Sequence, residues 1–304
     1  MERLNVLFYE NKDSKKYIYY HETKKAIQKK ARKFHQLKTF EDLEQQINKV
    51  KFKPDVLIIG YGATDLSEKN LPDLRNIKIP KFIYLNKEYQ RLQYKLDWIK
   101  NQNFRGAFTV LNKTNEFSSL TNTPFYNVNF AVNPDMFSSK NISKSYDISF
   151  SGVIRKEQDN DIRRKVMNEL FEDAYWYDKR IVFSSHLKNT QKQYVKHLCS
   201  SKVIFSSTGP ADIVGTRYFE AMATGQTQIL SNVKDNVFSN LFENEKHFIG
   251  FTDVKQIKNL YEKFVLDEKK RDEMLISAKR NVLKNHTWKN RADQVFKIIY
   301  EEIQ

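Results

Sequence analysis

Apolar residues in this chain come in short β-branched or aromatic runs, set apart by longer stretches of mixed polarity. In the first half the runs are "LNVLFY" (4–9), "DVLIIG" (55–60), "KFIYL" (81–85), "GAFTVL" (106–111) and "YNVNFA" (126–131). Residues 39–49 and 87–101 between them carry helical spacing. Short strands alternating with helices of this length predict a parallel sheet covered on both faces.

The pattern then restarts with "YDISFSG" (146–152), "RIVFSS" (180–185), "KVIFSS" (202–207), "TQILSN" (227–232) and "HFIGF" (247–251). Helical stretches at 160–172, 190–200 and 215–224 alternate with them, and further helices follow at 255–265, 267–285 and 288–303. Two successive α/β units are expected, which suits 304 residues, about twice a typical domain. The loop-like composition of "NPDMFSSKNISKS" (133–145) places the division at 142/143, giving units 1–142 and 143–304.

With 40% apolar and 13% aromatic residues the chain is not disordered. Cys199 is the sole cysteine, which rules out an intrachain disulfide or a cysteine-based zinc site and fits a reducing compartment. The start, "MERLNVLFYENKD", lacks the long apolar region and cleavage site of a secretion signal. No apolar run approaches the roughly 20 residues needed to span a bilayer. A cytoplasmic protein is expected, with any contact to the inner membrane face peripheral.

Charge changes the picture further. The net charge is +15, and residues 1–145 hold 26 Lys and Arg against 15 Asp and Glu, whereas 146–304 hold 26 against 22. A lysine-rich composition explains the total but not this asymmetry. "KKAIQKKARKFHQLK" (24–38) alone has seven basic residues and no acid. The first unit is therefore expected to meet an anionic partner: nucleic acid, acidic glycan or anionic lipid.

The candidate chemistry lies in "ADIVGTRYFEAMATGQTQILSN" (211–232). A strand leads through a loop to the helix "TRYFEAMAT", which Gly225 closes. Phe219, Met222 and Ala223 share the core face, while Thr216, Glu220 and Thr224 fall four apart on another. In parallel sheets such a helix start, with its unpaired amides and positive dipole end, meets the ligand crevice. A diphosphate on the amides near Gly215, Thr216 and Arg217, with Glu220 one turn deeper accepting from ribose hydroxyls, would be read by one helix. The competing reading is a surface helix in which Arg217 and Glu220 pair at i and i+3.

"GTRYFEAMATGQTQILSN" resembles the signature of group-1 glycosyltransferases of the family 4 type, especially the spore-maturation-protein-like branch. "YDISFSGVIRKEQDNDIRRKVMNEL", "YVKHLCSSKVIFSST" and "AKRNVLKNHTWKNRADQVFKII" agree in order, so the resemblance covers about 146–300; in the first half only "FAVNPDMF" does. It implies the GT-B fold, two Rossmann-like domains whose parallel sheets face a cleft, with the last helix crossing back to the first domain. It further implies a nucleotide diphosphate sugar, expected to be a UDP-sugar, as donor.

By this resemblance Glu220 matches the second acid of the family's pair. Asp212, eight positions earlier, stands where the family commonly has Glu, a departure in chain length. The glycine turn with a nearby basic residue matches Gly152 with Arg155 or Lys156, at the diphosphate. No metal or other cofactor is implied, since basic residues and the helix dipole neutralise the leaving diphosphate. "DND" (159–161) matches an Asp-x-Asp metal motif in form only, and reads as capping of a helix start. "GYG" (60–62) reads as a flexible crevice loop, and His286 as a structural helix-junction residue.

The acid pair leans towards retention of anomeric configuration. An inverting reaction would need a base from the first unit, for which Glu10, Asp13 and His21 are candidates. On the acceptor side the basic residues Lys29, Lys30, Arg32 and Lys33 either sit on anionic lipid, with Ile27, Ala31 and Phe34 on one side, while an envelope glycan is built, or track the phosphates of DNA whose modified bases are glycosylated. Two other classes stay open: a non-catalytic nucleic-acid-binding protein that kept the fold, and a sugar-nucleotide epimerase.

Overall fold

The computed structural model describes residues 3–10, 17–38, 42–64, 71–138, 142–152, 162–184, 190–208, 211–234 and 236–304. Asp13, Arg155, Lys156 and the stretch Asp159 to Asp161 lie outside the described residues. In chain order the elements are β1 (Asn5–Glu10), α1 (Ile18–Lys30), β2 (Lys33–Lys38), α2 (Leu43–Asn48), β3 (Val56–Ile59), β4 (Lys81–Tyr84), α3 (Leu92–Lys100), β5 (Gly106–Thr109), α4 (Thr114–Thr121) and β6 (Phe125–Asn127). They continue with α5 (Pro134–Phe137), β7 (Tyr146–Ser151), α6 (Ile162–Glu172), β8 (Ile181–Ser184), α7 (Gln191–Cys199), β9 (Ser201–Phe205), α8 (Thr216–Thr224), β10 (Gln228–Asn232), β11 (Ile249–Phe251), α9 (Ile257–Tyr261), α10 (Glu268–Asn285) and α11 (Trp288–Ile303).

Two compact units result: Met1–Phe130 with Trp288–Gln304, and Ala131–Thr287. The first contains a sheet of order β2-β1-β3-β4-β5-β6 and the second a sheet of order β11-β10-β9-β7-β8. Every pairing is parallel. In each sheet the first strand lies between the second and the third, so the order reverses there. Beyond the carboxyl ends of those strands, at β1/β3 and β7/β9, doubly wound sheets bind ligands.

The strands form because their runs are buried on both faces. Val6, Phe8, Val56, Ile58 and Phe82 pack with Tyr20 and Ile27 of α1 and with Ala292, Val295, Phe296 and Ile299 of α11. The last four residues repeat at helical spacing and give α11 one apolar stripe, each large side chain contributing about 1.5–3 kcal/mol on burial. In the second unit Ile148, Phe150, Val203, Phe205, Leu230 and Phe251 make the core with Trp176 and Tyr261.

Three sequence expectations change here. Residues 131–142 group with the second unit rather than the first, because α5 packs on α8 and Phe137 lies edge-on to Tyr194, ring centres 6.3 Å apart. The helix through "KKAIQKK" stops at Lys30, and 33–38 form edge strand β2, in which only Leu37 is buried. Ile27 and Ala31 are buried and Phe34 lies on Phe8, ring centres 5.9 Å apart, so these three are occupied within the core instead of offering lipid an apolar face. Finally, "GYG" opens a short 3-10 turn, Tyr61–Thr64, held to β1 by a hydrogen bond from the Gly62 amide.

Candidate functional site

At the β7/β9 switch point the second unit presents small polar groups. Ser206, Ser207 and Thr208 follow β9, and Ser231 and Asn232 end β10. Tyr218, buried on α8, donates to the Ser206 carbonyl and shares a hydrogen bond with Ser231, each 2.7 Å. Arg163, near the start of α6, donates to Ser207 Oγ at 2.9 Å and lies 5.8 Å from the centre of the Phe150 ring. Its guanidinium is thus held at the carboxyl edge of the sheet. The sequence reading missed it, placing basic charge on Arg155 and Lys156 instead; no motif marks a basic residue on an ordinary helix.

Helix α8 starts at the same edge. Gly215 is its N-cap and supplies no side-chain cap; the Tyr218 amide donates to the Gly215 carbonyl at 3.2 Å, which leaves the Thr216 and Arg217 amides to offer donors to a ligand or water. A Cβ on Gly215 would meet nothing within 4 Å, so the position is open but does not demand glycine. Gly152 behaves differently. Its amide donates to the Ser184 carbonyl at 2.9 Å, leaving none for a diphosphate, and a Cβ there would come 3.0 Å from the Phe150 ring.

Glu220 is buried, 7% exposed, which excludes the surface-helix reading. Tyr194 of α7 donates to its Oε2 at 2.7 Å, and Thr216 on the preceding turn also bonds it. Burial pushes its carboxyl above the usual range, against the opposing pull of Tyr194, Arg217 and Thr216. Arg217 bonds Tyr194 as well, so the phenol bridges the two. Meanwhile the buried Arg217 Nε has no hydrogen-bond partner among the described residues. A buried donor without an acceptor costs about 1–3 kcal/mol, which an anionic ligand oxygen would recover. Tyr194 was not singled out in the sequence; "YVKHL" has only helical spacing there.

Asp212 is placed apart from this network. It is exposed in the left-handed region at φ 53 and pairs with Lys234 at 2.6 Å.

In the first unit the β1/β3 switch point holds Glu10, fully buried at the end of β1. Its Oε1 accepts from the Gly62 amide at 2.8 Å, and its Oε2 has no partner among the described residues. Glycine is needed across it: a Cβ on Gly60 would lie 2.9 Å from the Glu10 Cδ, and one on Gly62 3.0 Å from Oε1. Burial pushes the Glu10 carboxyl up to about 7, outweighing the Gly62 amide and Lys24. His21 is exposed on α1.

The basic candidates do not join Glu10. Lys29 and Lys30 end α1, and Arg32 and Lys33 begin β2, whose first residue pairs with Asn5 at the start of β1. They lie at the amino edge of the sheet, roughly 17 Å of strand from its carboxyl edge. Lys30 is also ion-paired to Asp293, and Arg32 lies 3.9 Å from Asp55.

Residues 152–297 match a protein family described as "Glycosyl transferase-like". No curated protein matches the chain by sequence. Among solved structures the chain is similar to Anabaena Alr3699/HepE in complex with UDP and glucose, with 10% identity, a TM-score of 0.64, and coverage of 98% of this chain and 100% of that one. It is similar to an alpha-glucosyltransferase in complex with UDP-glucose and DNA containing an abasic site, with 12% identity, a TM-score of 0.65 and coverage of 98% and 100%. A TarM variant from S. aureus, in complex with Fondaparinux, alpha-GlcNAc-glycerol and UDP, matches with 11% identity, a TM-score of 0.55 and coverage of 80% and 55%. The protein has the GT-B fold of two Rossmann-like units, and the stretch that matches the glycosyltransferase-like family contains α8 and its network.

Proposed function

We propose that this protein is a glycosyltransferase that moves a sugar from a nucleoside diphosphate sugar, with uridine diphosphate as carrier, to an acceptor on an anionic molecule. The carrying observation is the start of α8, where the amides after a glycine N-cap, the Arg217 Nε with no partner among the described residues and the buried Glu220 meet. The amides, Arg217 and Arg163 would take the diphosphate, Glu220 the ribose hydroxyls and Asp212 the donor sugar. The family match and neighbours holding UDP or UDP-glucose support the reading. Neighbours bound to DNA and to alpha-GlcNAc-glycerol keep both acceptor classes, DNA base and envelope glycan, within it. The likeness to the spore-maturation-protein branch rests on the α8 signature alone.

In the retaining version the bond from the anomeric carbon to the leaving phosphate oxygen breaks, the acceptor oxygen bonds that carbon on the same face, and the phosphate oxygen takes the acceptor proton. Charge on the leaving group falls to arginine and helix amides, so no metal enters the scheme. Glu10 favours a second version, inversion, because a buried carboxylate pushed up to about 7, with one oxygen free of partners among the described residues, is suited to accept that proton. Thermal stabilisation by UDP, release of UDP from a panel of sugar donors, and the anomeric configuration of the product by NMR test the proposal. Absence of both stabilisation and release for every donor would remove it.

A further inference from the structure

Part of the first unit's excess charge lies at the amino edge of its sheet. Asn5 lies between Lys33 and the start of β3, and its side-chain amide donates to the Lys53 carbonyl at 2.9 Å. Lys33 Nζ stands 5.9 Å from the centre of the Phe52 ring. These contacts bring the end of α1, the start of β2 and the 49–53 connection together at the amino ends of β1, β2 and β3. Lys29, Lys33, Lys49, Lys51 and Lys53 are all exposed there, and none has an acidic partner among the described residues. The nearby acids are engaged elsewhere: Asp55 faces Arg32 and accepts from the Asn5 amide, and Asp293 holds Lys30.

We infer that this lysine edge is a docking surface for duplex DNA, set apart from the reacting end of the same sheet. A small anionic acceptor would need its countercharges beside the reacting atoms. Five lysines without an acidic partner among the described residues, about 17 Å of strand away, instead suit a polymer long enough to touch both places. DNA offers one charge per ~1.7 Å of axis, and lysines without base-reading partners are what backbone tracking requires. An anionic membrane fits less well, because stable surface attachment needs a second, apolar signal. Among the described residues the large exposed hydrophobics of the first unit are Ile18, Tyr89, Tyr94 and Leu120, none of them in the lysine edge, while Ile27, Ala31 and Leu37 are buried. The inference rests on the proposed transfer reaction only in making the bound DNA the acceptor.

The test is anisotropy of a labelled 30-base-pair duplex with the full chain across a salt series, beside vesicles of phosphatidylserine and phosphatidylcholine and inorganic polyphosphate. Five neutralised phosphates predict a log–log salt slope of about −4.5, equivalent to roughly 500-fold weaker binding between 50 and 200 mM salt. The variant Lys29→Glu, Lys33→Glu, Lys51→Glu, Lys53→Glu is expected to bind about 10²-fold more weakly at 100 mM, with a slope shallower by about 3.6. Its stabilisation by UDP, measured in parallel, is expected to match the parent and shows that it is folded. Duplex binding that is absent, or unaffected by the four changes, overturns the docking surface. So does tighter binding to vesicles or polyphosphate than to the duplex. Loss of UDP stabilisation in the parent with intact duplex binding would instead sink the donor site and leave this surface standing as that of a DNA-binding protein.

Discussion

The two sheets share one strand order but fill their switch points with opposite chemistry. Beside β7 and β9 stand serines and a threonine, two guanidinium groups and the uncapped start of α8. Between β1 and β3 lies one buried carboxyl, clamped by the Gly62 amide and crowded by glycines that leave no room for a Cβ. Hydroxyls, amides and arginines suit a multiply charged ligand. A lone carboxyl pushed up to about 7 suits a proton. The same topology is thus tuned twice, and the tuning lies in which side chains the loops present after the strands end, not in the sheets.

Breaking the charged switch point is expected to have the largest effect. Arg217→Ala should lower kcat/KM for the sugar donor on the order of 10²–10³-fold, as loss of a preorganised charge facing a leaving group does. Glu220→Gln keeps the shape and can still accept from Tyr194, so it should fold normally and weaken donor binding by about tenfold. Equal loss of melting temperature in both variants, with unchanged kinetics after correction for folded fraction, would make this network structural. Turnover is expected to survive chelation of divalent cations, and its abolition by EDTA with recovery on added metal would contradict charge neutralisation by arginine alone.

The proton-handling switch point should show itself in stability against pH. Glu10 is held near 7 in the folded state, against about 4.5 when exposed, so the folded state binds the extra proton between these values. Stability from this group is therefore present at low pH and is lost as pH rises through about 7. Glu10→Gln removes that dependence. Chemical denaturation should find the variant gaining on the parent by roughly 2 to 3 kcal/mol between pH 5 and pH 8. If the inverting version is right, the same variant is nearly inactive; if the retaining version is right, it keeps most of its turnover. A flat difference across this pH range would mean that the carboxyl titrates normally.

How much of this was legible depends on burial. "DVLIIG", "KFIYL" and "KVIFSS" read as strands because both faces are covered and nearly every position is apolar. Strand β2 did not, since an edge strand with one buried residue has no such run, and no Gly or Pro marks the stop of α1 at Lys30. Arg217 and Glu220 were visible through helical spacing after a strand and loop. Tyr194 and Arg163 were not, because each enters the site from a helix distant in sequence. The lysines of 24–38 were visible as charge, but their place at the amino edge follows from strand pairing, which composition does not encode.

Asp212 separates the two halves of the donor-side reading by the smallest change. It is exposed, paired with the equally exposed Lys234, and sits at a positive φ that asparagine tolerates. Asp212→Asn therefore removes a carboxylate without straining the backbone, and an exposed pair of this kind contributes about 0–1 kcal/mol, so the melting temperature should move little. A role at the donor sugar predicts a roughly tenfold fall in kcat/KM with unaltered UDP stabilisation, since the sugar and not the nucleotide loses its partner. Kinetics identical to the parent would leave Glu220 as the only acid acting on the donor, and the lean towards retention would lose the residue pair on which it rests.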